Sequence, residues 1–458
     1  MPTSYASQAL FRKTMMKKFI LPTLGSVAAI GLFAFSISQP KAVAVEGATY
    51  NETFEQLELF ADVMARVKSE YVVDVENSEL IEDAINGMLQ SLDPHSSYVN
   101  ADGFRDLQIS NTGEYGGLGL EVTAVDGFVK VIAPIDDTPA KRSGIKAGDF
   151  ITEIEGKSIV GLSLTEAVKQ MRGKPGEPIT ISVITEGEEQ REVTLTREVI
   201  KRSQVKYEVK DGLAYVRIAQ FNEQVEKGLT DAVTSLKKEL GSKIPGIILD
   251  LRGNPGGLLD QSVKVSSVFL DGGEVVSTRG RVASDTNRFN AEKGELLKGI
   301  PLIVLIDGAS ASASEIVAGA IQDRGRGLIL GMTSFGKGSV QAIIPLRGGR
   351  DGALRLTTQR YYTPSGRSIQ GTGIDPDIAV SAVPDDGEER SSRKESDLPN
   401  AIENDTENGA ETDDTEVETL EIDYPPEGFK IEDDYQLQKA IEILKSGTYK
   451  EKMAELSQ

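Results

Sequence analysis

Cysteine is absent from this chain, and histidine occurs once, at His95. Without cysteine there is no disulfide framework, no thiolate zinc site and no cysteine nucleophile. A single imidazole excludes metal sites built on several histidines, such as the H-E-x-x-H helix, and any hydrolase here must work with at most that one ring. Positive charge is also scarce: 50 Lys plus Arg stand against 71 Asp plus Glu, a net charge of −21. Phosphate backbones require the opposite sign, so nucleic acid is not expected as a partner. What is present suffices for a folded protein: 458 residues, 39% apolar and 26% charged, about three domains with a real core.

The few basic residues are unevenly placed. Residues 1–44 hold Arg12, Lys13, Lys17, Lys18 and Lys41 and no acidic residue, and an uncharged run extends from Phe19 to Pro40. Ala42-x-Ala44 follows with the small-residue spacing read by signal peptidase. Residues 1–44 are therefore expected to be a signal peptide cut after Ala44, or a signal anchor if uncleaved, the run being long enough to span a bilayer. Export is predicted, with membrane contact only through this segment if it stays. Near the other end, residues 385–424 are strongly acidic and nearly free of aromatics. Such a stretch buries too little apolar surface to offset its ordering entropy, and a disordered linker is expected. Beyond it, residues 425–458 predict a C-terminal helix capped by Asp433-Asp434, with Leu437, Ala440, Ile441 and Leu444 on one face.

Between these ends the pattern is mixed α and β. Helical spacing marks 45–112, first from Tyr50 to Tyr71 and then from Ser78 to Leu92, where Asp93-Pro94 stops the helix. Residues 113–199 hold short β-like runs separated by glycine turns. Residues 200–384 alternate apolar strands (GIILDL, PLIVLID, GLILG) with helical segments, which predicts an α/β core with a largely buried sheet.

Within 113–199, Tyr115-Gly116-Gly117-Leu118-Gly119-Leu120 opens a strand, Pro139-Ala140-x-x-Ser143-Gly144-Ile145-x-x-Gly148-Asp149 follows, and a helix is expected from Ser163 to Met171. This resembles a PDZ domain, whose glycine-rich loop offers backbone N–H groups to the terminal carboxylate of a peptide that adds as a strand. Gly117, Leu118, Gly119 and Leu120 are the expected peptide-binding residues. Arg172, at the end of the helix, reads either as a charge favoured by the helix dipole or as a regulatory contact to the catalytic residues.

Chemistry is expected between residues 250 and 341. Asp250-Leu251-Arg252-Gly253-Asn254-Pro255-Gly256-Gly257 leaves a strand into a glycine turn able to present oxyanion donors. Ser310-Ala311-Ser312-Ala313-Ser314-Glu315 stands between a strand and a helix, where amides favour developing negative charge. Ser312-x-x-Glu315 is equally a capping box. Lys337, in Phe335-Gly336-Lys337-Gly338, can activate a serine if burial lowers its pKa from about 10.4 toward 7–8. Gly331-x-x-x-x-Gly336-Lys337 imitates a phosphate loop, but Gly338 occupies the position that needs Ser or Thr.

Taken in order, LDPHSSY at 92–98, the PDZ pattern, DLRGNPGGLL at 250–259, SASASEI at 310–316, FGKGSVQ at 335–341 and RYYTPSGRSIQGTGIDPD at 360–377 resemble the carboxyl-terminal processing peptidases, or tail-specific proteases. The resemblance implies a multidomain α/β protein: a crotonase-like, ClpP-like protease core with an inserted PDZ domain and helical flanks. It implies Ser312 as nucleophile, Lys337 as general base, Gln341 as the residue orienting that lysine, and backbone N–H groups of Ala313 and of Gly256 or Gly257 as the oxyanion hole. Residue patterns alone do not choose among Ser310, Ser312 and Ser314. The resemblance further implies no metal or other cofactor, protein substrates with accessible apolar C-termini, and a location in the periplasm or on the periplasmic face of the inner membrane. An adaptor protein and self-association are further partners compatible with it. Two other readings are a PDZ scaffold without activity, which the Ser–Lys pair argues against, and a trypsin-like protease, which needs a catalytic histidine. His95 precedes the PDZ segment and reads as a turn residue.

Overall fold

The computed structural model describes residues 50–456 apart from 186, 202, 242, 386–392 and 407–420. The leader expected at 1–44 lies outside the described residues, and among these no helix is long and apolar enough to cross a membrane. Contacts divide the chain at Asp74. The first unit contains α1 (Tyr50–Glu70), the helix predicted from the spacing that begins at Tyr50.

The second unit opens with α2 (Asn77–Gln90), β1 (Ser97–Val99) and α3 (Ala101–Thr112). Asp93 stops the chain after α2 by accepting the N–H groups of His95 and Ser96, each at 2.9 Å, in an Asx turn. Then come β2 (Glu114–Gly117), β3 (Leu120–Val125), β4 (Phe128–Pro134), α4 (Pro139–Arg142), β5 (Phe150–Ile154), β6 (Lys157–Ser158), α5 (Leu164–Met171), β7 (Pro178–Ile184), β8 (Arg191–Thr196) and β9 (Glu198–Lys201). β3-β4-β5-β7-β8 form one antiparallel sheet, with β6 on β5. The inward positions Ile151, Ile154, Ile179, Ile181, Val183 and Leu195 pack on Ala167 and Met171 of α5. β2 and β9 pair antiparallel and tie the two ends of this domain together. α5 begins in a capping box: Glu166 N–H donates to Ser163 Oγ (3.2 Å), and Ser163 N–H to the Glu166 carboxylate (3.0 Å).

The core continues with β10 (Val205–Lys210), β11 (Leu213–Ile218), α6 (Val225–Leu240), β12 (Ile247–Asp250), α7 (Leu259–Phe269), β13 (Glu274–Gly280), β14 (Asn287–Asn290), β15 (Leu302–Ile306), α8 (Ala313–Asp323), β16 (Leu328–Gly331), β17 (Ser339–Pro345), β18 (Ala353–Tyr362) and β19 (Ile378–Ala379). α9 (Tyr435–Ser446) and α10 (Thr448–Glu455) close the chain. The main sheet runs β10-β11-β12-β15-β16-β19, parallel from β11 onward. Side chains alternate across its faces. Val216, Leu249, Val304 and Ile329 meet α6, α7 and α8 on one side. Ile248, Ile303, Leu305 and Leu330 meet Leu437 and Ala440 of α9 on the other. Cover on both sides is why these strands read as unbroken apolar runs. A second sheet has the order β1-β18-β13-β14, with β17 on β18.

Two expectations are corrected. The C-terminal segment forms two helices, broken at Gly447 (φ +88°). The acidic stretch is not a disordered linker throughout: residues 393–406 are described, and Glu395 within them is fully buried. Residues 386–392 and 407–420 of that stretch lie outside the described residues.

Candidate active site

Parallel strands deliver loops to one edge, at their C-terminal ends. Here those are the loop after β12 and the turn between β15 and α8, with the segment before β17 joining them.

Asp250 ends β12, fully buried. Its carboxylate accepts Tyr215 Oη (2.7 Å), Arg217 Nη1 (3.0 Å) and Arg252 Nη2 (2.7 Å). Burial pushes its pKa up, but the hydrogen bonds and charge of Arg252 outweigh this, and the net shift is downward. Arg252 reaches on to Asp434 at the start of α9 (2.7 and 2.8 Å). Past it, Asn254 accepts the N–H of Gly256 on its side-chain oxygen (2.9 Å), while its backbone oxygen accepts Ala311 N–H (3.0 Å) and Ser314 Oγ (2.9 Å). Gly256 (φ +98°) lies so close to the serine turn that a β-carbon there would stand 2.7 Å from Ser312 Cβ.

The three serines have different surroundings. Ser310, fully buried, donates to Leu251 O (2.9 Å). Ser314, also fully buried, is spent on Asn254 O. Ser312 is partly exposed and sits at φ +55°, ψ −114°, outside the regions an L-residue ordinarily adopts. A strand-to-helix turn in this strained form presents a hydroxyl outward, as a nucleophile elbow does.

Glu315, fully buried, holds the turn in place. One oxygen accepts Ser312 N–H (2.6 Å) and Lys337 N–H (3.0 Å); the other accepts Ser334 Oγ (2.6 Å) and Gly336 N–H (2.7 Å). Burial raises its pKa, the four hydrogen bonds pull it back, and the result is about 7. The N3 position of the capping box is thus also the tie between the serine turn and the lysine turn.

Lys337 Nζ donates to Gln341 Oε1 at 2.5 Å. Burial, aided by the Arg355 guanidinium and opposed by Glu395, Glu315 and Asp93, lowers its pKa to about 8. Gln341 Nε2 donates to Ser339 Oγ (3.0 Å) and Thr357 Oγ1 (3.1 Å), and Thr357 Oγ1 donates to Asp93 (3.0 Å). The LDPHSSY motif therefore anchors the far end of the lysine's support. Among the described hydrogen bonds none joins Ser312 Oγ directly to Lys337 Nζ. The buried hydroxyl of Tyr361 lies beside Ser312.

The N–H groups expected for the oxyanion hole differ in their partners. Gly256 N–H is occupied by Asn254, whereas no hydrogen bond among the described residues engages the N–H of Gly257 or Ala313. Gly117, Leu118, Gly119 and Leu120 line a cavity of about 650 Å³, together with Arg172, which directly follows α5, and Lys206 and Arg217 from the core. Arg172 stacks over the Tyr115 ring, 4.8 Å from its centroid. The C-terminal carbonyls of α5 are capped by Arg197, which donates to Met171 O (3.0 Å) and Gln170 O (3.2 Å).

Glu315, Asn254, Thr357, Asp93 and Glu395 were not singled out as site residues from sequence. Glu315 carried its SxxE spacing, which equally describes an ordinary cap, and Asp93 and Asn254 lay inside the LDPHSSY and DLRGNPGGLL motifs with no role of their own assigned.

The architecture is that of a peptidase with a PDZ domain, and comparison with known proteins agrees. The peptidase family S41 model matches residues 212–380, the PDZ domain model 116–196, and the model of the activating protease CtpB N-terminal domain 28–103. A carboxy-terminal-processing protease of Bartonella bacilliformis is 53% identical over 72% of this chain and 77% of its own length. The carboxy-terminal processing protease CtpA of Bacillus subtilis is 32% identical over 80% of this chain and 77% of its own. Among solved structures, a photosystem II D1 C-terminal processing protease is 28% identical, covering 71% of this chain and 88% of that one, with a TM-score of 0.40. The chain belongs to the carboxy-terminal-processing proteases, serine peptidases of family S41 that carry a PDZ domain.

Proposed function

We propose that Ser312 is the nucleophile and Lys337 its general base, supported above all by one observation: both backbones hang on the buried Glu315 carboxylate, on strained and desolvated residues respectively. Neutral Lys337 takes the Ser312 hydroxyl proton as Oγ bonds to the scissile carbonyl carbon. The resulting oxyanion accepts the N–H groups of Gly257 and Ala313, while Gly256 shapes the loop. The lysine ammonium then protonates the leaving amine as the C–N bond breaks. Water attacks the acyl-enzyme as Lys337 accepts its proton; the ester C–O bond then breaks, and the lysine ammonium returns that proton to Ser312 Oγ. Gln341 keeps the lysine amine aligned between turnovers.

The PDZ groove at Gly117–Leu120 receives the free, apolar C-terminus of a protein substrate, and the chain acts in the cell envelope after export through residues 1–44. Arg172, in the wall of that groove, reports peptide arrival to the core. Ser312→Ala and Lys337→Ala should each abolish cleavage with native circular dichroism, and the double variant should be no worse than either. A fluorophosphonate should label Ser312 alone among the serines; label on Ser310 or Ser314 would refute the assignment.

A further inference from the structure

Glu395 comes from the acidic stretch beyond the peptidase-family segment, which ends at residue 380, yet its side chain is fully buried. Burying a carboxylate is costly unless it is closely partnered, and this one is. Both its oxygens lie 2.8 Å from His95 Nε2, and Oε1 accepts Gln370 Nε2 at 3.1 Å. The other end of that amide accepts Gly338 N–H at 2.8 Å, and the backbone N–H of Glu395 donates to Phe335 O at 3.0 Å. One residue thus grips the turn on both sides of Lys337, directly at Phe335 and through Gln370 at Gly338. The charged and titratable groups facing Lys337 are Arg355, Glu395, Glu315 and Asp93. Those facing Glu395 are His95, Lys337 and Tyr361.

We propose that Glu395 is a positioning residue of the peptidase reaction, which holds the 335–338 turn and sets the electrostatic field at the Lys337 amine. The proposal rests on Lys337 being the general base. Within this set Arg355 favours the neutral amine, and Glu395 is the first of the three acids opposing it. Removing its charge therefore makes the lysine easier to deprotonate, while loosening its turn lowers the plateau rate. A residue that merely stabilised the fold would lower activity equally at every pH.

The test uses the full chain, with kcat/KM on a fluorogenic peptide and the fluorophosphonate inactivation rate followed across about pH 5.5–9.5. Glu395→Gln should move the acid limb of both profiles about half a unit to one unit lower, with a reduced plateau. Glu395→Asp keeps the charge and should return the limb to the wild-type position. An unshifted limb in Glu395→Gln, with Lys337→Ala inactive, overturns the proposal and leaves the base assignment standing. Activity retained in Lys337→Ala overturns the base assignment and the proposal with it. Should Glu395→Gln lose its native circular dichroism, Glu395→Ala takes its place. Loss of fold in both neutral variants, with Glu395→Asp native, would make the residue a structural tie and also overturn the proposal.

Discussion

Strain and burial concentrate on a few residues of the site. The backbone of Ser312 at φ +55°, ψ −114° costs about 1–3 kcal/mol against an ordinary conformation. Glycine tolerates that conformation freely, so Ser312→Gly should abolish activity while raising the melting temperature; a lowered one would show that the turn is not strained. Glu315→Gln places an amide NH₂ where an oxygen now accepts two donors. Two hydrogen bonds to charge are lost, each worth about 1.5–3 kcal/mol, so the variant should fall in thermal stability and lose at least a hundredfold in turnover. As the proposed general base, the Lys337 amine, lowered to about 8, must be neutral to act. Activity should therefore rise with pH through about 8 and fall roughly tenfold per unit below it. A pH-independent rate between 6 and 8 would remove the lysine from the proton transfer. Lys337 and the serine cluster could be found by sequence because they lie in short contiguous runs. Glu395 could not: 300 residues separate it from His95, and nothing local distinguishes it from the acids around it.

Helices and strands were read more surely than the contacts between them. The capping box of α5 and the Asx stop after α2 are local chemistry, visible as Ser163-x-x-Glu166 and Asp93-Pro94. Arg172 shows where local reading ended. Its place at the helix terminus left a capping charge and a regulatory contact both open; the cation that caps the helix is Arg197, 25 residues on, and Arg172 turns to the Tyr115 ring in the groove wall. The two arginines should separate in experiment. Arg197→Ala should lower the thermal stability of the PDZ domain by about 1–2 kcal/mol through lost hydrogen bonds. Arg172→Ala should lower turnover of a protein substrate while fluorescence anisotropy still detects C-terminal peptide binding. Lost binding would assign Arg172 to peptide capture instead.

The whole molecule depends on its last two helices more than the sequence suggested. The amphipathic face of α9 was plain from Leu437, Ala440, Ile441 and Leu444, but not that it covers the second face of the main sheet. Truncation before residue 425 would bare Ile248, Ile303, Leu305 and Leu330 and leave Arg252 without Asp434. Each large apolar side chain uncovered costs about 1.5–3 kcal/mol, enough together to exceed the usual margin of stability. Such a truncation should be recovered only as insoluble protein; a soluble, active product would show that the sheet needs no second cover.

The bond from Arg252 to Asp434 is also a clip across the sheet. Arg252 follows the end of β12 beside the candidate site, and its partner opens α9, 182 residues further along the chain. A loop of that length costs chain entropy to close, and the bond forms only where the fold already holds both ends together. The loop at the site and the helix behind the sheet are thus fastened to each other, and a disturbance of one is carried to the other.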